Sequence, residues 1–120
     1  SGGFVKALGD QARGVVVTQV FPSERSLNYP VIKEAMDLAK AKNIGDLTPA
    51  MLEGFVSAKV LVEGLKRAGA KPDSAKLHMG LESIRKWDLG GMELSYSPTD
   101  HSGLDFSDLS IIGTDGRFKR

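Results

Sequence analysis

The 120-residue sequence predicts an α/β chain built of three main helices, one buried strand and a C-terminal β-hairpin. Three observations carry that prediction. Residues 15–21 have the β-branched density of a strand, residues 30–87 hold three stretches with helical apolar spacing, and the pattern switches to alternation from Met92 onward. The length fits one modest domain, and no linker, repeat or low-complexity segment divides it.

Residues 4–11 read as a short helix or the end of one, stopped by Gly14. The strand Val15, Val16, Val17, Thr18, Gln19, Val20, Phe21 follows and Pro22 ends it. Its weak alternation is that of a strand covered on both faces, the usual situation inside a parallel sheet. After a turn-rich stretch, Pro30 opens a helix with Val31, Ala35 and Leu38 on one row and Ile32, Met36 and Ala39 on the next. The longest helix takes Thr48 as N-cap and Pro49 in its first turn, and stops at Gly69. Met51, Phe55, Ala58, Val62 and Leu65 line one face with Leu52, Val56 and Leu61 beside them, an apolar width that implies packing on more than one side. A third helix starts at Asp73, carries Leu77, Leu81 and Ile84, and is expected to close by Trp87, before Gly90 and Gly91.

Residues 92–96 then alternate, residues 97–103 form a polar loop, and residues 106–112 are strand-like before an Asp115–Gly116 turn, which together predict a hairpin with a long loop. A strand covered on both faces needs neighbours, and the only other strands are in this hairpin. The missing neighbours come from the hairpin itself, from another chain or from a longer protein.

Sixteen basic against fifteen acidic side chains, evenly spread, leave no positive stripe for a phosphate backbone, so nucleic acid is not an expected partner. The lack of cysteine removes disulfides, thiol catalysis and thiolate metal sites, and fits either redox compartment. No apolar run approaches the roughly 20 residues that cross a bilayer. The opening Ser1, Gly2, Gly3 has neither an initiator methionine nor a signal peptide, so the true start is expected elsewhere or trimmed.

Asp100, His101 and Ser102 are the residue types of a hydrolytic triad, but adjacent residues cannot align nucleophile, base and orienter, and a solvated turn is the better reading. Asp100, Asp105, Asp108 and Asp115 lack the spacing of a calcium loop. His78, taken to have no ligand partner on its helix, reads as a surface or packing residue. The fourteen glycines form neither a phosphate loop nor a dinucleotide fingerprint, and Trp87 reads as a packing anchor rather than a stacking ring. The chain is therefore expected to be no enzyme, with no catalytic residue, no metal and no cofactor.

Three blocks carry a resemblance: RGVVVTQVFP at 13–22, LEGFVSAKVLVEGL at 52–65 and DLGGMELSYSPTDH at 88–101, closed by DGRF at 115–118. In that order they resemble the leucine/isoleucine/valine-type periplasmic binding proteins of ABC importers, which have the type I periplasmic binding protein fold. The resemblance implies an intact protein about three times longer, of two α/β lobes joined by three chain crossings with the ligand held between them.

The chain resembles the C-terminal third of such a protein and forms one partial unit. Residues 1–22 would give a helix end and a strand of the C-terminal lobe, 23–89 the helices of the N-terminal lobe, and 90–120 a hairpin back in the C-terminal lobe. The crossings would fall near Pro22 and Ser23 and at Gly90 and Gly91.

The resemblance implies ligand contacts from Phe21, Ser23, Ala50, Met51 and Glu53. Ala50 is small where an aromatic wall is expected, a departure that leaves a branched-chain preference without support. The implied ligand is an amino acid or another small carboxylated or aromatic solute, the implied partner an ABC permease, and the implied location periplasmic or otherwise extracytoplasmic. The alternative is a self-associating module, a strand-exchanged or edge-paired homodimer that binds no ligand. A hydrolase using the His101 loop is the weakest alternative.

Overall fold

A computed structural model describes residues 2–120. In chain order the elements are α1 (Gly2–Leu8), a 3-10 turn (Gly9–Ala12), β1 (Val16–Gln19), α2 (Pro30–Ala41), α3 (Pro49–Ala68), α4 (Ser74–Glu82), β2 (Trp87–Asp88), β3 (Glu93–Leu94), β4 (Asp108–Ile112) and β5 (Phe118–Lys119). The helix starts are written locally. The Thr48 hydroxyl accepts the Met51 amide at 3.2 Å and the Asp73 carboxylate accepts the Lys76 amide at 2.7 Å, satisfying donors that have no partner inside the helix.

Helices α2, α3 and α4 pack around one apolar cluster that includes Val31, Ile32, Leu52, Val56, Ile84, Leu89 and Leu94. Each such side chain, fully removed from water, contributes about 1.5–3 kcal/mol. Helices α3 and α4 meet at two glycines, Gly64 and Gly80, both buried.

Two small antiparallel sheets complete the fold. One has the order β1-β4-β5, with Val16 opposite Ile111 and Thr18 opposite Leu109, and the other pairs β2 with β3. Ala12 and Ile112 are buried in the three-stranded part, outside the helical cluster. The radius of gyration is 16.8 Å, against about 14 Å for a compact domain of this length. The molecule is elongated, with principal extents of 52, 34 and 26 Å.

The expected α/β class and the main helices are present, while three details differ from expectation. The strand is shorter than residues 15–21 and is an antiparallel edge strand. It is not covered on both faces, since Val16 is 59 % and Val20 64 % exposed. β-branched density marks extended backbone, but cover depends on neighbours, and within the chain β1 pairs only with β4.

Helix α4 ends at Glu82, not Trp87. Ser83 caps it, Lys86 turns out with φ of +46°, and Trp87 is half-buried in β2. Residues 92–96 do not form the far arm of a long-looped hairpin, because β3 pairs back onto β2, and the C-terminal hairpin is β4 with β5.

Gly90 and Gly91 pack close to the start of α2. The Gly90 carbonyl accepts the Val31 amide at 3.1 Å, and Leu89, Met92 and Leu94 are buried in the helical cluster. Tyr29 and Phe106 touch edge to face with ring centroids 6.5 Å apart, so the helical body keeps contact with the chain as far as Phe106.

Candidate functional site

Where β1 ends and the chain passes into the helical body, a cleft of about 450 Å³ opens against the first turn of α3. Its walls include Phe21, Thr48, Pro49, Ala50, Glu53 and Arg120. Of the five residues expected to contact ligand, the fold brings Phe21, Ala50 and Glu53 onto this one surface.

Ser23 and Met51 are not on it. The Ser23 hydroxyl accepts the Arg25 amide at 3.3 Å and its carbonyl accepts the Ser26 amide at 2.8 Å, so it builds the turn after the strand. Met51 is half-buried, with its amide bound to the Thr48 cap. Thr48 and Arg120 line the cleft without having been expected there. Thr48 was legible as the N-cap, whereas Arg120 is brought back by the sheet, where it donates to Asp108 at 2.7 Å and to the Phe21 carbonyl at 3.0 Å.

The start of α3 offers hydrogen-bonding capacity to this cleft. Pro49 has no amide hydrogen and the Met51 amide is capped, which leaves the Ala50 amide without an acceptor among the described residues. Close to it stand the Glu53 carboxylate, the Arg120 guanidinium and the Phe21 ring.

A second cleft, about 570 Å³, lies on the other side of Phe21 and Glu53. Val56, Val60, Leu81 and Leu94 give it an apolar floor, and His78, Glu82 and His101 stand in its wall.

The His101 loop has no triad geometry. His101 Nε2 faces Glu82 Oε1 at 3.0 Å, while the Asp100 carboxylate accepts the Ser102 amide at 2.8 Å. Nor do the four aspartates converge. Asp108 is tied to the Leu109 amide and to Arg120, and Asp115 to Lys119 and the Arg117 amide; these bonds hold both carboxyls below the usual range.

Glu82 stands four residues beyond His78, a spacing that puts both on one helix face and that the reading of His78 as a lone residue passed over. His78, Glu82 and His101 are the only trio of possible metal ligands that converge among the described residues.

Among the described residues no helix is long and apolar enough to cross a membrane. Neither a family model nor a curated protein matches the sequence. Solved structures do. A substrate-binding periplasmic protein from Ralstonia solanacearum superposes with a TM-score of 0.85 at 31 % identity, over 98 % of this chain and 34 % of its own.

An extracellular ligand-binding receptor from Verminephrobacter eiseniae matches with 0.84 at 29 % identity, over 100 % of this chain and 35 % of its own. A possible leucine/isoleucine/valine-binding protein from Rhodopirellula baltica matches with 0.83 at 27 % identity, over 96 % and 32 %. The chain thus spans about a third of the length of the solved structures it matches, all of them described as binding proteins rather than enzymes. It is a segment with the fold of the type I periplasmic binding proteins, the group to which the leucine/isoleucine/valine-type solute-binding proteins belong.

Proposed function

We propose that this segment is the C-terminal third of an extracytoplasmic solute-binding protein that captures an amino acid or similar small carboxylated solute and presents it to an ABC permease. The observation that supports this most directly is the cleft between the sheet body and the start of α3, where Phe21, Ala50 and Glu53 meet. Its groups suit a zwitterion. The Ala50 amide at the N-terminus of a 20-residue helix suits a carboxylate, the Glu53 carboxylate an ammonium, and the Phe21 ring an apolar side chain.

Capture works by closure. A ligand touching both lobes favours the closed arrangement by its differential affinity for the two states, and the chain needs a hinge rather than a catalyst. In this reading the lobe boundary follows Phe106, in place of the crossing expected at Gly90 and Gly91, so that the three-stranded sheet belongs to one lobe and residues 23–106 to the other. Calorimetry of the 120-residue chain alone is expected to show no micromolar binding of amino acids, and saturable micromolar binding by it would overturn the two-lobe reading. In a longer chain that contains this segment, Glu53→Gln is expected to weaken amino-acid binding by roughly ten- to a hundred-fold, the value of a hydrogen bond to a charged group. Unchanged affinity removes Glu53 from the site.

One observation favours self-association as a second reading. Val16, Leu109 and Ile111 are each 46–60 % exposed, and the register places them on a single face of the sheet. A second copy would cover that face. Light scattering decides: a mass that doubles with concentration, and stays monomeric in a Val16→Thr, Ile111→Thr variant, supports the dimer, and a constant monomer mass excludes it.

A further inference from the structure

We propose that His78, Glu82 and His101 form a binding site for a divalent transition cation of the zinc class, at the rim of the apolar cleft between α3, α4 and the loop 97–103. The sequence holds two histidines and no cysteine, so the chain has two side chains with the donor chemistry such ions favour. The fold brings both to one place: His78 from α4 and His101 from a loop 23 residues further on, with ring centroids 5.9 Å apart and ring planes at 76°.

Both Nε2 atoms are directed at the same carboxylate oxygen, Glu82 Oε1, at 3.1 and 3.0 Å. All three ligand atoms lie within 4.8 Å of one another. Ligands about 2.0–2.1 Å from a tetrahedral zinc stand about 3.3 Å apart, so the two carboxylate distances already match. The remaining separation closes by a small rotation of rings that are 65 % and 61 % exposed.

The donor set is two imidazoles and one carboxylate, which selects zinc, cobalt or nickel over calcium and magnesium. Without an ion, each imidazole donates its Nε2 hydrogen to the carboxylate. With an ion, each ring carries its hydrogen on Nδ1 and offers the Nε2 lone pair. Water completes the coordination on the exposed side. The ion would fasten the 97–103 loop to α4, beside the floor formed by Leu81 and Leu94.

The test uses the chelator-treated 120-residue chain with zinc in calorimetry and thermal melting, and cobalt in visible absorption. Saturable one-to-one zinc binding, a rise in melting temperature with zinc but not magnesium, and a cobalt d–d band are expected. His78→Gln and His101→Gln should each weaken zinc at least about ten-fold, the lower bound seen even for groups that only support a ligand. Because both rings are exposed, these variants should melt within about 2 °C of the parent without metal. Absence of saturable zinc binding overturns the proposal. So does binding retained in the His78→Gln, His101→Gln double variant, which would assign it to other surface groups.

Discussion

Adding one methyl group to Gly80 should separate two helices that are now in backbone contact. A Cβ there would lie 2.6 Å from the Gly64 carbonyl oxygen and 3.1 Å from the Ala68 nitrogen, both main-chain atoms of α3 that cannot rotate away. Two terms oppose each other. Alanine improves helix propensity over glycine by about 1 kcal/mol, while forcing a packed contact apart costs about 1–3 kcal/mol, with an immovable backbone at the upper end.

The net expectation for Gly80→Ala is destabilisation of about 2 kcal/mol. Gly54 is the internal control, for it lies exposed in α3, the helix against which Gly80 packs, and an added Cβ meets nothing within 4 Å. Gly54→Ala should therefore show the propensity term alone and stabilise by up to about 1 kcal/mol. Urea unfolding followed by far-ultraviolet circular dichroism measures both, with unchanged slopes confirming that the midpoints report stability. A Gly80→Ala protein as stable as the parent, alongside a stabilised Gly54→Ala, would refute the close approach of α3 and α4. Gly64→Ala should fall between them, because its Cβ meets the mobile ends of Leu81 and Leu77 instead of main chain.

Two further perturbations probe the turns and caps. Asp88 Oδ1 accepts the amides of Gly90 at 2.9 Å and Gly91 at 2.7 Å, and these bonds hold its carboxyl below the usual range. A depressed carboxyl contributes stability above its unfolded pKa and loses it as pH falls through the folded one. The parent's urea midpoint should therefore drop between pH 6 and pH 3, and Asp88→Asn should drop less steeply; an identical pH profile would count against the turn's role. Thr48→Ala removes the cap on the Met51 amide and should cost about 1 kcal/mol, while Thr48→Ser should restore most of it. Equal stability of the alanine and serine variants would mean the hydroxyl does not cap.

Much of the helical body was legible because its signals are local. Pro30, Thr48 with Pro49, and Asp73 announce three helix starts within a few residues, and the structure begins α2, α3 and α4 there. The end of α4 was not legible, because Leu77, Leu81 and Ile84 keep helical spacing past Glu82, where the helix ends before the chain turns away at Lys86. The pairing of β2 with β3 left no pattern either. Two-residue strands have no periodicity, and what draws them together is the burial of Leu89, Met92 and Leu94 around a turn whose glycines sit at φ of +121° and +85°.

In the candidate site, Phe21, Ala50 and Glu53 came from resemblance rather than from their own chemistry. The His78 and Glu82 pair was readable from a four-residue interval, but His101 joins them only through the fold.

The two bodies differ in how far the chain satisfies them by itself. The helices close a core in which Val31, Ile32 and Ile84 are fully buried. The sheet leaves Val16, Leu109 and Ile111 open on one face, and two of its three strands pair on one edge only. Few buried apolar contacts and solvent-exposed ladder hydrogen bonds place a segment at the low end of local stability. Hydrogen exchange of the 120-residue chain should therefore run fastest in β1, β4 and β5 and slowest along the α3 face that carries Leu52, Val56 and Val60. Whatever covers the open sheet face, whether more of the same protein or a second copy, should slow exchange at Val16, Val17 and Ser110 first, because burial of that face would stabilise the ladder those residues form.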